Sequence, residues 1–375
     1  YLNDEVPIYN EIEKLKRLEF SEVSKLISEL YYGNSNITYD YFKFERIEEK
    51  KVRVLYNIDF RNKVISTYFT FVINNIFYPE ISSYSYGYPL AAGFYNDNIF
   101  TNWFENWKQY SEKIEDIIDN EAYEDYYLIK LDIKGFYDFI DRKRLAIKLY
   151  EEAPHRVKEK IDLLSNTEKS KYRNIVDYLI SLSDNIFKDK DSGIPQGPAY
   201  ARYLAEIYLL GLDRTVDNYI LENQGREFYY RFVDDVYIFL DSQERANELY
   251  EKLINWLLVN NLDKNNKKSL IANVLEYKNS GEFHKYKDNA KYLINKVNKR
   301  KHTLSNAEIQ DALLKLEDIT KNIKFGLNDN LRFFFHQFKD DERVIYIKKK
   351  LAKVLPKSED GRGTLYLIFY SSSSS

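Results

Sequence analysis

Hydrophobic residues recur along the chain with two different periods, one typical of helices and one typical of strands. In the first 50 residues the apolar positions are spaced three and four apart, as on one face of an amphipathic helix. These positions are Ile12, Leu15, Leu18, Val23, Leu26, Ile27 and Leu30. In residues 51–56, by contrast, basic and apolar side chains alternate, which predicts a short strand. The pattern is that of a mixed α+β protein.

Later stretches predict further strands with helices between them. Residues 128–133 are a short apolar run that ends near Asp132. Residues 230–239 carry aromatic and β-branched residues on both sides of an acidic pair, which predicts a tight β-hairpin with Asp234 and Asp235 at its turn. The other predicted elements are a strand beginning at Leu270 and helices over residues 151–190, 203–212, 248–258 and from about 282 onward.

Asp132 is the acidic residue whose position is hardest to explain as purely structural. A carboxylate inside an apolar strand is costly to bury unless it is paired with a cation or bound to a metal ion. Asp138 and Asp141 follow soon after, but Asp138 suits an ordinary turn and Asp141 suits the N-cap of a helix. Asp132 is therefore the first candidate for a functional carboxylate.

The acidic pair Asp234 and Asp235 allows two interpretations. Most acidic dipeptides at hairpin turns are simply solvated turns. The same pair at the end of a strand can hold a divalent metal ion if another carboxylate joins it from elsewhere in the chain, because hard cations prefer several oxygen ligands. These two residues by themselves leave both interpretations open.

Two further groups of residues suit contacts with a ligand. Residues 192–198 form a loop bounded by Gly and Pro. In it, Gln196 and the backbone of Gly197 suit contact with a planar ligand, although the segment is equally a loop before a helix. Basic side chains in residues 51–65 can meet phosphates, although exposed strands carry Lys and Arg routinely. The basic candidates are Arg53, Arg61 and Lys63.

Composition narrows the function classes. Of the 375 residues 31% are charged, yet the formal net charge is only -3, so any surface that binds nucleic acid has to be local. The chain has no Cys, which excludes disulfides, thiolate metal sites and cysteine nucleophiles. Its apolar runs are too short to span a bilayer and nothing near Tyr1 resembles a signal peptide, so we expect a soluble intracellular protein. Met is absent, and the five serines at 371–375 resemble a linker or tag.

Taken in order, the motifs resemble the palm of a reverse transcriptase, over roughly residues 53–269. Each motif alone is weakly specific, but the set is highly specific because all of them follow the order of that family. The motifs are Leu131-Asp132-Ile133-Lys134-Gly135-Phe136-Tyr137, Gly193-Ile194-Pro195-Gln196-Gly197-Pro198, Phe232-Val233-Asp234-Asp235 and Lys268-Ser269.

This resemblance implies an α+β fold of the right-hand polymerase type. Fingers and palm, with an antiparallel sheet in an RRM-like palm, would be followed by a helical thumb-like region. The implied boundaries are an N-terminal helical extension over 1–50, fingers over 51–125, palm over 126–280 with a helical insertion at about 151–190, a thumb-like region over 281–355 and a C-terminal segment over 356–375.

The resemblance also implies roles for the candidate residues. Asp132 and Asp234 would bridge two Mg²⁺ ions, with Mn²⁺ as the alternative, while Asp235 lies beside them and the Ile133 carbonyl is a further ligand. Two cations about 3.5–4 Å apart activate a primer hydroxyl and neutralise the leaving pyrophosphate. Tyr137 falls where the family has the aromatic side chain that packs under the sugar and excludes a 2′-hydroxyl, which implies dNTP substrates. The other implied nucleotide contacts are Phe136, Gln196, Gly197, Lys268, Arg53 and Arg61, with Lys63 as second choice to Arg61.

The segment from Ala199 to Glu206 departs from intron and retroviral enzymes, which tend to have Ser-Pro there. Its Ala-Arg-x-Leu-Ala-Glu run resembles retron, abortive-infection and other bacterial defence-associated reverse transcriptases. This resemblance implies antiphage defence in the bacterial cytoplasm, with an RNA template, nascent DNA or both as partners, and it leaves a dedicated non-coding RNA open as a further one. The short apolar runs predict no membrane partner. The near-neutral net charge also favours self-association into a homo-oligomer.

Three alternatives stay open at the level of sequence. The first is a retron-type or intron-type enzyme that copies a dedicated structured RNA. The second, suggested by the abortive-infection resemblance, is template-independent DNA synthesis primed from a tyrosine of the protein. The third is a scaffold that binds nucleic acid through a polymerase-like fold without using its carboxylates. Retention of the three acidic positions, Gln196 and Lys268 argues against that scaffold.

Overall fold

The structure is a computed structural model and describes residues 19–33, 39–48, 51–78, 80–81, 85–87, 100–221, 226–299 and 307. The strands are β1 (Tyr41–Glu48), β2 (Lys51–Ile58), β3 (Tyr127–Asp132), β4 (Phe228–Phe232), β5 (Asp235–Leu240) and β6 (Leu270–Asn273). The helices are α1 (Phe20–Tyr31), α2 (Phe60–Phe77), α3 (Trp103–Asp119), α4 (Phe136–Phe139), α5 (Arg142–Tyr150), α6 (His155–Leu163), α7 (Asn166–Ile186), α8 (Ala199–Ile220), α9 (Gln243–Val259), α10 (Val274–Lys278) and α11 (Gly281–Lys299).

Strands β3 to β6 form an antiparallel sheet in the order β4-β5-β3-β6. The two central strands are rich in Leu, Ile and aromatic residues, and Leu131 and Phe239 in them are fully buried. Such side chains suit a strand that is covered on both faces. The predicted strand that ends at Asp132 and the one that begins at Leu270 are both confirmed.

Helices cover this sheet and supply its core. Helix α3 packs against the sheet through Tyr110 and Ile114, which form one apolar cluster with Leu128 and Phe239. Helix α9 also contacts β3 and β5, and it buries Leu249, Leu253 and Leu257, which follow each other at intervals of four residues. Residues 199–210 of α8 are all buried, as expected for a helix enclosed on every side. The mixed sheet-and-helix architecture is the α+β polymerase-like fold that the motifs imply.

The predicted helices at 151–190, 203–212 and 248–258 are confirmed as α6 with α7, α8 and α9. The expectation of a helical N-terminal extension up to residue 50 is wrong for residues 41–48, which form strand β1. Phe42 and Phe44 alternate there with polar neighbours, and β2 supplies a hydrogen-bonding partner along the full length of β1. A neighbouring strand therefore decides the conformation of this stretch.

The described residues fall into two compact units. Residues up to 39 and from 61 to 286 belong to one unit, and residues 40–60 and 287–299 belong to the other. The predicted boundaries of fingers, palm and thumb stay predictions. The N-terminal extension before residue 19, the thumb-like region after residue 299 (except residue 307) and the C-terminal segment with its serine run lie outside the described residues. None of the helices described in either unit is both long and apolar enough to cross a membrane.

Candidate active site

The turn between α9 and β6 encloses the end of β3 and fixes the backbone of Asp132. The peptide nitrogen of Asn265 donates to the Asp132 carbonyl over 2.8 Å, and that of Lys134 donates to the Asp263 carbonyl over 2.9 Å. The Asp132 peptide nitrogen donates to the Ser269 hydroxyl over 3.1 Å. The bonds donated by the peptide nitrogens of Asn265 and Lys134 lie on either side of the β-bridge between Ile133 and Lys264. The Ile133 carbonyl takes part in neither of them.

The carboxylate of Asp132 is buried, with 5% of the residue exposed, and it is well hydrogen-bonded. Asn265 donates through Nδ2 to Oδ1 over 2.8 Å, and Lys268 donates through Nζ to Oδ2 over 2.7 Å. A cation and an amide thus offset the cost of burying this charge. Burial lowers the pKa of Lys268, but its hydrogen bond to Asp132 and the surrounding negative charge outweigh that effect, so the pKa is raised and the side chain stays cationic.

The acidic pair lies on the predicted hairpin, one residue further along than expected. The turn consists of Val233 and Asp234, and Asp235 is already the first residue of β5. In the register of β3 and β5, Asp235 stands directly opposite Asp132. Directly opposed residues of antiparallel strands have side chains on the same face, with Cβ atoms about 4.5–5.5 Å apart. The fold therefore brings two distant acidic motifs to one point at the end of the sheet.

The electrostatics of Asp235 reflect this convergence of negative charge. Asp235 as a whole residue is exposed, but many protein atoms surround its carboxylate and limit the hydration of that group. This desolvation of the carboxylate, together with the charges of Asp234 and Asp132, raises the pKa of Asp235 to about 7. The charges of Lys268 and Lys130 act in the opposite direction. The site thus holds more negative charge than its neighbouring lysines compensate.

The donor set fits divalent cations in its chemistry. Carboxylate oxygens are the ligands that Mg²⁺ prefers, and the raised pKa of Asp235 marks a place where added positive charge is favourable. Among the described residues, however, no three His, Cys, Asp or Glu side chains are already arranged to hold a metal ion. Asp132 bonds Lys268 and Asn265. A metal ion at Asp132 would therefore bind at a remaining lone pair of this carboxylate or replace one of these two donors.

The Gly/Pro loop is tied to the segment that follows Asp132. The peptide nitrogen of Gly193 donates to the Ile140 carbonyl over 2.8 Å, and that of Ile194 donates to the Tyr137 carbonyl over 2.9 Å. Gly193 and Gly197 have φ values of 103° and 127°, a region that only glycine adopts readily. The glycines of the motif are thus needed for the loop conformation that sets Gln196 between them.

Arg142 is a structural support of this loop that its sequence position did not reveal. Its side chain is buried and donates to Asp184 over 2.5 Å. The same guanidinium donates to the carbonyls of Ser192 and Gly193 over 2.6 and 2.9 Å, and also to the carbonyl of Lys190. One buried cation therefore satisfies several carbonyls of the loop that contains Gln196. A basic residue just after a helix cap gives no sign of such a role.

The predicted nucleotide contacts near Asp132 differ in exposure. Phe136 is 2% exposed and its ring lies 5.7 Å from that of Tyr137, so it supports Tyr137 from inside the protein. Tyr137 and Gln196 are half-buried, and Gly197 is buried. Of these residues, Tyr137 and Gln196 keep side-chain surface that a ligand can contact.

The three basic candidates lie on β2 and α2. Arg53 is in β2, and its side chain lies outside the described residues. Arg61 is half-exposed and forms an ion pair of 2.7 Å with Glu22. Lys63 is 1% exposed, because it lies on the buried side of α2. Contact of Lys63 with a phosphate would therefore require α2 or its neighbours to move, which leaves Arg61 as the accessible residue of the two.

The structure adds a buried ionic cluster behind the hairpin, made of Arg231, Glu206 and Asp213, which are each 0% exposed. The motifs give no indication of this cluster, but the charge pattern of the sequence does. Arg231 is a charge in the middle of an apolar strand, the same feature that singled out Asp132. Glu206 and Asp213 are acidic residues seven apart in an apolar helix, so they share one helix face.

Gly87 lies against the hairpin turn and has no space for a side chain. A Cβ atom at Gly87 would lie 2.7 Å from Cγ2 and 2.9 Å from the peptide nitrogen of Val233. We expect Gly87→Ala to lower the free energy of unfolding by about 1–3 kcal/mol through overpacking, measured by chemical denaturation. Gly281→Ala is the control, because a Cβ there meets nothing within 4 Å. Equal stability of the two variants would contradict the close packing at Gly87.

The comparison with protein families agrees with the motifs. A family model described as "Reverse transcriptase (RNA-dependent DNA polymerase)" matches residues 43–297. No curated protein sequence matches the chain significantly. Among solved structures, apo telomerase from Candida tropicalis is similar over 68% of this chain and 49% of its own, with 12% identity and a TM-score of 0.41. Telomerase from Candida albicans in complex with a TWJ fragment of telomeric RNA is similar over 69% and 46%, with 11% identity and a TM-score of 0.37. The chain thus spans about half the length of these telomerases.

Proposed function

Because this chain belongs to the reverse transcriptase family of RNA-dependent DNA polymerases, we propose that Asp132, Asp234 and Asp235 form its catalytic centre for adding dNTPs to a 3′ hydroxyl. The observation that supports this most directly is the register of the palm sheet. It sets Asp132 opposite Asp235, with Asp234 in the adjoining turn. Three acidic residues from two distant motifs then lie at one end of the sheet, inside the segment that matches the family.

Asp132 and Asp234, with Asp235 beside them and the Ile133 carbonyl, would hold two Mg²⁺ ions, or Mn²⁺. When bound, such ions lower the pKa of the attacking hydroxyl and stabilise the charge that develops on the phosphates. The protein's part is to keep these carboxylates on a rigid strand end. The raised pKa of Asp235 supports the proposal, because cation binding relieves the repulsion that causes it.

Lys268 would take part at the phosphates of the incoming nucleotide. Its ammonium lies 2.7 Å from Asp132 and its side chain is 60% exposed, so it is within reach of a ligand at the same end of the sheet. A triphosphate offers Lys268 a more highly charged partner than one carboxylate does. We propose that Lys268 moves from Asp132 to the phosphates when a nucleotide binds. That exchange would release Asp132 for the metal ions.

Tyr137 would select deoxynucleotides by contact with the sugar. It is half-buried, Phe136 supports its ring, and its carbonyl bonds the loop that contains Gln196. A ring fixed in this way can exclude a 2′-hydroxyl. Gln196 and Gly197 would line the nucleotide beside it, with Arg61 and Arg53 as the proposed phosphate contacts of the fingers.

We expect Tyr137→Val to relax sugar selection. The ratio of kcat/KM for dNTPs to that for ribonucleotides should fall by about 10²-fold, because a smaller side chain leaves room for the 2′-hydroxyl. Single-nucleotide extension with each substrate measures this ratio. Phe139→Val is the matched control, because Phe139 is an exposed aromatic residue on the same short helix. An unchanged ratio in Tyr137→Val would remove Tyr137 from sugar selection.

The biological setting that we propose is antiphage defence in the bacterial cytoplasm. Its support is the resemblance of residues 199–206 to defence-associated members of the family. A retron-type or intron-type enzyme that copies a dedicated RNA, and tyrosine-primed synthesis without a template, are the competing settings. Plaque assays on bacteria expressing the chain or its Asp234→Asn variant test the defence role. Equal plaque numbers with both proteins would count against it.

Incorporation of labelled dNTPs with Mg²⁺ or Mn²⁺ tests the polymerase proposal itself. We expect incorporation on a primed RNA template and none by Asp234→Asn. Incorporation without RNA, with label retained on the protein after denaturation, would favour tyrosine priming. The assay is run with primed RNA, with RNA that co-purifies and without RNA. If no dNTP is incorporated under any of these conditions, the remaining alternative is a scaffold that binds nucleic acid without using its carboxylates. Light scattering during gel filtration reports whether the chain self-associates.

A further inference from the structure

Arg231 is a fully buried cation within the hairpin, three residues before Asp234. It lies on β4 between two carboxylates of α8. Its Nε and Nη2 donate to the two oxygens of Asp213 over 2.6 and 2.7 Å, and its Nη1 donates to Glu206 over 2.9 Å. Tyr229 also donates its hydroxyl to Asp213. Each member of this cluster therefore needs the others, because an unpaired buried charge is strongly destabilising.

The same guanidinium reaches the turn that carries Asp234. Nη1 of Arg231 donates to the carbonyl of Val233 over 3.0 Å. Val233 has a φ of 57°, a left-handed conformation that is strained for a β-branched residue. Such a conformation persists only where its surroundings impose it. The bond from Arg231 holds the peptide that follows this strained residue, and that peptide carries Asp234.

Residues 85–87 contact the hairpin at Arg231 and Val233, the same two residues that the Arg231–Val233 bond joins. The peptide nitrogen of Tyr86 donates to the carbonyl of Arg231 over 2.9 Å, and Ser85 forms a parallel bridge with Arg231. Gly87 then packs against Val233. The backbone of Arg231 is thus fixed by residues 85 and 86, and its side chain is fixed by the carboxylates of α8. Both sets of contacts meet at Val233, and the bond from the Arg231 side chain reaches the Val233–Asp234 peptide itself.

We propose that Arg231 is a positioning residue for catalysis, which holds the strained Val233–Asp234 turn so that Asp234 meets the metal ions opposite Asp132. This inference rests on the proposed catalytic role of the three carboxylates. Arginine is required because its planar fork bonds both oxygens of Asp213, Glu206 and a carbonyl at once. A lysine at this position keeps the positive charge but has a single nitrogen. It cannot hold the turn and neutralise both carboxylates in the same geometry.

The test compares Arg231→Lys with a matched arginine elsewhere in the fold. Arg245 also bonds both oxygens of a buried carboxylate, Glu227, over 2.7 and 2.8 Å, and also donates to a carbonyl, that of Tyr219, over 3.1 Å. Arg245→Lys therefore removes similar bonds without touching the hairpin. Both variants are expected to lose stability, which thermal unfolding measures.

Only Arg231→Lys should alter metal binding. Loss of a residue that orients a metal ligand typically lowers metal affinity or activity by about 10–100-fold. We expect such a rise in the Mn²⁺ concentration for half-maximal binding, measured by electron paramagnetic resonance with primed RNA and a non-hydrolysable dNTP analogue. We also expect a similar fall in the single-turnover rate with unchanged dNTP affinity. A partly unfolded sample lowers the amplitude of both signals without changing either constant.

A second substitution separates positioning from simple stability. Glycine adopts a φ of 57° without strain, so Val233→Gly should partly restore the Mn²⁺ affinity and rate of Arg231→Lys. It should not restore thermal stability, because it removes a buried side chain. If Arg231→Lys does not fold, Asp213→Asn replaces it, since it removes the charge that orients Arg231 and keeps the side-chain shape.

Unchanged Mn²⁺ affinity and rate in the folded variant, or equal changes in Arg245→Lys, would overturn the proposal. Failure of the proposed function gives a different result. In that case the wild-type chain incorporates no dNTP and binds no Mn²⁺ at the site, whatever residue stands at 231. A wild-type protein that is active and binds Mn²⁺, beside an Arg231→Lys variant that matches it, refutes the positioning role alone.

Discussion

Replacing Asp235 by asparagine is expected to reduce the rate of dNTP incorporation by roughly 10³-fold or more, an effect of about 4 kcal/mol on the activation barrier. The same substitution should leave the melting temperature of the metal-free protein unchanged or higher. Asp235 stands among like charges with Asp132 and Asp234, and its pKa is raised to about 7. Neutralising it removes repulsion from the fold while it removes a charge that the metal ions need.

The control for this prediction lies at the other end of the same strand. Asp241 follows β5 directly and forms a partly exposed, long ion pair of 3.8 Å with Arg245. Asp241→Asn should therefore alter both activity and stability only slightly, since exposed ion pairs contribute about 0–1 kcal/mol. Single-turnover incorporation and thermal unfolding measure the two effects. An Asp235→Asn variant that is fully active, or one that is inactive because it is unfolded, would contradict the charge-cluster interpretation.

Lys268→Ala is expected to lower kcat/KM for dNTPs by about 10²-fold, because one cation that stabilises the phosphate charge is lost. The substitution also removes the bond to Asp132. Stability should fall by about 1–3 kcal/mol, because the buried Asp132 carboxylate loses the cation that offsets its burial, while the 60% exposure of Lys268 lets solvent screen part of the pair. A steady-state series over dNTP concentration, with denaturation curves on the same samples, measures both quantities.

Lys267 provides the comparison for Lys268. It is the preceding residue of the same turn, is exposed, and contributes its peptide nitrogen to Asn265. Lys267→Ala keeps this backbone bond and removes an equal charge from the same surface. A similar loss of kcat/KM in both variants would assign the effect of Lys268 to general surface charge. A loss confined to Lys268→Ala supports its direct contact with the phosphates.

The parts of the site that sequence predicts correctly are those set by local pattern. The β3 strand and the acidic hairpin are predicted correctly because a short apolar run, and aromatic and β-branched residues on both sides of a turn, are properties of short segments. The order of the motifs then predicted the polymerase-like palm fold. The turn that contains Lys268 follows a helix that the sequence predicts, and it brings this lysine to Asp132; the nucleotide contact that the resemblance implies for Lys268 stays a prediction.

The parts that sequence does not predict depend on contacts between distant segments. Residues 41–48 form a strand because β2 pairs with them. The one-residue shift of the hairpin turn follows from the left-handed conformation of Val233, which no propensity of valine favours. Asn265 donates to Asp132 from 133 residues away. Such partners are determined by the packed fold, and local pattern contains no information about them.

The most direct test of the catalytic centre is anomalous diffraction from crystals of the chain with primed RNA, a non-hydrolysable dNTP analogue and Mn²⁺. We predict two anomalous peaks about 3.5–4 Å apart, with Asp132 and Asp234 as shared ligands and Lys268 on the triphosphate. A nucleotide bound elsewhere would contradict the proposed catalytic centre. So would a nucleotide at this site with Asp132 still bonded to Lys268 and no metal ion beside it.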